Sequence, residues 1–303
     1  MNKKIRSAFF HAAFRAAALA SLAATFFSCA ATTERATTTL AAAEPAAGTD
    51  TADAAVAAAK RFFDSRAKGD MKAVFLDLPE SIQKEASSVL ASIAGKMDAE
   101  VFAALAGIVG AFAEVGMAKP DFVKRSLYES PHRGERGPEA AEIAAFSTAL
   151  KSFVGKLDFD LLNNGDVAAI LASPEITAIA NLWNDGGVKP EITLVQLNAD
   201  GSVAMTIRDA RGSVSTETHE KIEGVWMPVR VFEECKTVIA MARKAMEKLE
   251  IDEDKKAQII AALPVVKLGV SNAKNAKTFE QCQQRMSMAM MPVMMLAVPN
   301  VEE

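Results

Sequence analysis

Between Glu191 and Phe232 the hydrophobic pattern changes period, and this change limits the fold more than any other feature of the chain. The runs ITLVQLN, SVAMTIRD, SVSTETHEKI and VWMPVRVF are rich in β-branched residues and are separated by Ala199-Asp200-Gly201, Ala210-Arg211-Gly212 and Glu223-Gly224. Successive side chains of a strand point to opposite faces. The alternation of Val203, Met205 and Ile207, and of Val225, Met227, Val229 and Val231, with their neighbours therefore marks half-buried strands. Turns this short join sequential neighbours, which predicts a four-stranded antiparallel meander over about 191–232.

The rest of the chain reads as helix. The expected segments are Asp53 to Gly69, Ser81 to Gly95, Asp98 to Met117, Asp121 to Glu129, Pro138 to Leu157 and Ser173 to Trp183, with PHRGERGP as a loop. After the meander, helices are expected from Glu233 to about Glu250, from Glu253 to Leu263 and from Thr278 onward. Ser173 and Pro174 form an N-cap and N1 pair. The fold class is thus α+β, mostly helical, with the meander and a C-terminal helical tail. One domain is expected over 53–303, with helices to 186, the sheet over 187–232 and helices from 233. The apolar stretch from Asp98 to Met117 approaches a membrane span in length. Its capping Asp98, its Glu114 and its many Ala and Gly suit a closely packed core helix instead.

The first 15 residues carry Lys3, Lys4, Arg6 and Arg15 and no acid, and the uncharged run Ala16 to Phe27 follows. At about 12 residues this run is shorter than the roughly 20 needed to span a bilayer, so 1–28 reads as a signal peptide that is removed. The string Phe26-Phe27-Ser28-Cys29-Ala30 resembles the lipobox of bacterial lipoproteins, although Phe26 stands where Leu is usual. The resemblance implies diacylglycerol on Cys29 and a membrane held through that lipid, with Ala30 favouring the outer membrane. An ordinary cut after Ala30 would release a soluble periplasmic or secreted protein. Residues 29–52 lack aromatic residues and nearly all large aliphatics, and read as a flexible tether.

The whole chain carries a net charge of −4, and losing the leader removes four basic residues and no acid. An acidic surface repels phosphate backbones, which sets nucleic acid aside as a partner. With Cys29 lipidated, Cys235 and Cys282 remain as an even pair in an oxidising compartment, a possible disulfide or two buried thiols.

His132 and His219 are the only histidines beyond the leader. His219 shares a strand face with Glu217 and Lys221, a pattern that fits a solvated surface row better than a metal-binding or proton-moving Glu-x-His pair. His132 lies in a loop beside Arg133 and Arg136. Asp158, Asp160, Asn163, Asn164 and Asp166 gather oxygens of the kind calcium prefers, but capping and turn formation account for them. Met286, Met288, Met290, Met291, Met294 and Met295 crowd one segment; thioethers suit Cu(I), and Met also fills core gaps and partner grooves. There is no G-x-S-x-G, phosphate-binding glycine loop, HExxH or CxxC, and nothing calls for a cofactor.

Two stretches resemble the nuclear-transport-factor-like, ketosteroid-isomerase-like superfamily: AAVAAAKRFFDSRAKGDMKAVFLDL, and Asp200-Gly201 through Gly224-Val225-Trp226. Together they cover about a quarter of the chain, and more than a hundred residues separate them. The resemblance implies a curved sheet and helices enclosing a pocket used for catalysis, ligand binding or dimerisation. The isomerase members use a buried acid and a tyrosine, and no residue here matches either; the single tyrosine, Tyr128, lies outside both stretches. Two functions are therefore expected to compete. One is a non-catalytic exported lipoprotein binding an envelope protein or an apolar ligand, and the other is an enzyme in such a pocket.

Overall fold

Helix α1 (Thr49–Ala67) stops where Gly69 turns to a φ of +68°, with the Gly69 N–H bonded to the Arg66 carbonyl and the Asp70 N–H to that of Ser65. Asp70 then caps α2 (Met71–Leu76) by accepting from the Ala73 N–H at 3.0 Å. These details come from a computed structural model, which describes residues 49–127, 138–183, 189–209, 212–247 and 250–297. The further helices are α3 (Glu80–Ala94), α4 (Ala99–Ala118), α5 (Pro120–Leu127), α6 (Ala140–Lys156), α7 (Phe159–Asn163), α8 (Val167–Leu171) and α9 (Pro174–Trp183). Strands β1 (Glu191–Leu197), β2 (Val203–Arg208), β3 (Val214–Ile222) and β4 (Val225–Pro228) follow, and then α10 (Val229–Glu247), α11 (Glu253–Lys274) and α12 (Phe279–Ala297). The chain is α+β, with a four-stranded antiparallel sheet in the order β1-β2-β3-β4.

Where the sequence reads as one body from 53 onward, the described residues divide into two compact units, each built from two stretches of chain. The α/β unit takes 49–91 and 164–246, and the helical unit takes 92–163 and 247–297.

In the α/β unit, register decides which side chains meet α1. Val203, Met205 and Ile207 of β2 pair with His219, Glu217 and Ser215 of β3, and with Leu197, Val195 and Ile192 of β1. A bulge between Ile192 and Leu194 keeps Ile192 and Val195 on the same face. Ala55, Ala59 and Phe63 of α1 bury Val203, Met205 and Ile207, with Phe62, Ile192, Leu197 and Trp226 packed around them. The opposite face carries the Thr206 and Thr216 hydroxyls, 3.3 Å apart, and the exposed Leu194 and Val214.

The expected last strand is shorter than the sequence suggests. It ends at Pro228, and Val229 and Val231 belong to α10. Proline has no N–H to extend a ladder, and its fixed φ suits the start of a helix.

The helical unit is assembled on α4. Asp98 caps it through the Val101 N–H at 2.9 Å, and its carboxylate also pairs with Lys256. Ile108, Ala111 and Val115 pack against Ala262, Val266, Val270 and Ala273 of α11, and against Cys282 and Met290 of α12. Among the described residues α4 is the one helix long and apolar enough to cross a membrane, and half of that stretch is buried within the protein. Small residues set the helix crossings: a Cβ on Gly116 would overlap Ser147 of α6, and one on Gly269 would overlap Ala289. Helix α11 runs well past the expected end at Leu263, because its buried face (Ile259, Ala262, Val266, Val270, Ala273) continues in helical period on both sides of the exposed Pro264.

Glu114 of α4 binds Lys151 of α6 at 2.8 Å and Lys274 of α11 at 2.6 Å. The hydrogen bonds from Lys151 and Lys274 hold its carboxyl down at about 2. Because the folded pKa lies below the unfolded value of about 4.5, this stabilisation is present above roughly pH 4.5 and is lost as the pH falls toward 2. After solvent screening it should amount to about 1 kcal/mol. Denaturant unfolding of Glu114→Gln should therefore show a deficit of that size at pH 7 that vanishes near pH 2. Gly116→Val should lower stability by about 2 kcal/mol through overpacking. Gly155→Ala, where nothing lies within 4 Å, should raise it by about 0.5 kcal/mol.

Candidate functional site

The inner face of β3 is polar where its neighbours are apolar. Ser215, Glu217, His219 and Lys221 alternate along it, and the register places Glu217 and His219 beside Met205 and Val203 under α1. The solvated row expected from the sequence is therefore corrected at its centre. Lys221 is exposed, Glu217 is half-buried, and His219 retains only 1% of its exposure.

Neither ring nitrogen of His219 has a hydrogen-bond partner. Nε2 lies 3.9 Å from Glu217 Oε2, too far for a hydrogen bond. Burial pushes the imidazole pKa down to about 4, so the ring is neutral at pH 7, with one donor and one acceptor nitrogen. Burial also pushes the Glu217 carboxyl up, against the pull of Arg230 and Arg66 and with the help of Glu234. Leaving a buried polar group unpaired costs on the order of 1–3 kcal/mol.

His219 faces a cavity of about 20 Å³, walled by Ala59 and Phe62 of α1, Leu78 after α2, and Trp226 and Met227 of β4. That exceeds the roughly 10–15 Å³ a single water requires. Arg61 and Asp77 also contribute to the lining, so the arrangement can meet a hydrogen-bonding group inside a mainly apolar wall. It holds two groups with metal-ligand chemistry, and no cluster of three His, Cys, Asp or Glu occurs among the described residues.

The other candidates fall elsewhere. Cys29, Tyr128 and His132 lie outside the described residues. Cys235, on α10, and Cys282, on α12, are each a buried free thiol in the structure. Burial raises the Cys282 thiol pKa, which keeps it protonated.

The methionines divide around α12. Met290 is buried and Met286 half-buried against the α4 and α11 core, whereas Met288 and Met291 are 62% and 59% exposed. These four thioethers do not converge on one point. Met294 and Met295 belong to the same helix, and their side chains lie outside the description. Asp158 accepts from the Asp160 N–H and Asp166 from the Ala169 N–H, which is the capping role the sequence suggests.

No protein-family profile, curated protein or solved structure matches the chain.

His219 gives this site a thermodynamic signature. The unfolded chain takes up its proton near pH 6.5 and the folded chain only near 4. Stability should therefore fall as the pH drops through that window, by at most about 3 kcal/mol. Glu217 acts in the opposite sense, since its raised pKa lets the folded state bind a proton first. His219→Leu should abolish the acid-side loss and raise stability at pH 7 by about 1–2 kcal/mol. Denaturant unfolding across pH 4 to 7 checks this, and an unchanged pH profile would show that the ring is solvated.

Proposed function

We propose that this chain is a non-catalytic exported lipoprotein, anchored through Cys29, whose α/β unit binds a small, mainly apolar ligand carrying one hydrogen-bonding group. The observation that carries the reading is His219, an unpartnered neutral imidazole facing a cavity with mainly apolar walls, to which Arg61 and Asp77 also contribute. A polar side chain kept in such a place at a cost to stability is the pattern expected of a binding group. The leader, the lipobox-like string and the tether supply the address, with the outer membrane as the favoured location. The two stretches that resemble the ketosteroid-isomerase-like superfamily both lie in the unit that holds this cavity.

The test is native mass spectrometry of the protein isolated from its own envelope lipids. A bound small molecule should be present with the wild type, absent with His219→Leu and retained with Met288→Ala. A ligand-free wild type, or equal binding by His219→Leu, would refute the reading. Metabolic palmitate labelling should be lost in Cys29→Ser, and equal labelling would end the anchored part of it.

A second reading, an enzyme of the isomerase kind, draws on Glu217, a carboxyl with a raised pKa that lies 3.9 Å from His219. It requires proton exchange next to the carbonyl of a small enone. That exchange should disappear in Glu217→Gln, and its absence from the wild type removes the reading.

A further inference from the structure

The β3–β4 turn carries a residue its geometry disfavours. Glu223 and Gly224 have φ of 52° and 86°, the paired positive values of a type I′ turn, for which Asn-Gly and Gly-Gly are the preferred sequences. Among the described residues Glu223 is the only non-glycine in that region, where a long side chain is penalised.

Its carboxylate does not stay in the turn. Glu223 Oε2 accepts a hydrogen bond from the Ser81 N–H at 3.0 Å, across 142 positions of sequence. Ser81 lies in the first turn of α3, where N–H groups have no partner within the helix. Hydrogen bonds from Ser81, together with the charge of Lys84, hold the Glu223 carboxyl below the usual range. Asn or Asp would suit the turn better, but each has a shorter side chain than Glu.

The two segments joined by this bond adjoin two of the elements that line the His219 cavity, the third being α1. Asp77 and Leu78 lead into α3 and form one part of the lining, and Val225 to Pro228, which follow the turn directly, form another. A single exposed carboxylate therefore ties together the stretches of chain that carry these two parts of the lining, from just outside the cavity.

We infer that Glu223 is a positioning residue that sets access to the His219 cavity: the Ser81 bond holds the β3–β4 turn against the start of α3, and breaking it lets the turn swing aside to admit a ligand. The strained conformation of Glu223 keeps the bonded state from being held too firmly. The inference rests on the binding reading for its purpose, but its test needs no ligand.

The experiment follows the rate at which diethyl pyrocarbonate modifies the His219 ring in the full chain, located by peptide mass spectrometry. Alkylation of Cys235, buried in the same unit, is followed in parallel. Glu223→Gly eases the turn while removing the carboxylate, and it should speed His219 modification about fivefold, the change expected from losing one hydrogen bond. Glu223→Gln, which keeps an acceptor oxygen, should fall between it and the wild type. Cys235 should react at the same rate in all three.

An unchanged His219 rate in Glu223→Gly overturns the inference. A parallel rise at Cys235 does so too, because the whole unit would then be opening. Faster His219 modification with no ligand found in the native protein would remove the binding reading and leave the clasp standing.

Discussion

Helix α1 lies across one face of a twisted four-stranded sheet, and the properties of the α/β unit follow from that contact. Covering the centre of that face takes the side chains beneath the helix out of water, wholly or in part, whatever their chemistry. For Val203, Met205 and Ile207 the result is a core. For His219 the same burial leaves a neutral ring with no partner, and for Glu217 a carboxyl that resists ionisation. One packing event therefore creates both the stability of the unit and its most reactive surroundings.

The helical unit rests on a different constraint, the distance of approach between helices. Gly116 against Ser147 and Gly269 against Ala289 leave no room for an added methyl group. The Ala and Gly content that makes α4 look like a membrane span is what this packing requires, and its one charge, Glu114, meets two lysines. Met286 and Met290 fill the remaining space with their flexible side chains, which suits Met to irregular gaps.

Much of the architecture was legible in the sequence because local chemistry specified it. The positive φ of Gly69, the caps at Asp98 and Ser173, and the turns at Gly201, Gly212 and Gly224 all follow from residue type. Pro228 misled the reading, because alternation continues through Val229 and Val231 while the ladder cannot. The candidate site was half legible. That His219 and Glu217 share a face follows from period two, but which face is buried depends on register with β2. A usable signal was present: counting outward from the Asp209 to Ser213 turn pairs Val203 with His219 and Met205 with Glu217. The clasp at Glu223 was not legible at all, since nothing local links it to Ser81.

The way the two units interrupt one another bears on how the chain comes to be folded. Residues 92–163 are made before β1 exists, yet their companions α11 and α12 follow the sheet and α10. The α/β unit has all its parts once α10 has been synthesised, whereas α4 must wait for α11 and α12 to cover its apolar side. Holding a long intervening stretch adds little to the equilibrium cost, because closure entropy grows only slowly with length, but contacts so distant in sequence form late. A chain cut short before α11 would display its most apolar helix to solvent and to proteases. The α11–α12 pair thus acts as a seal on α4 that is made only after the α/β unit is complete.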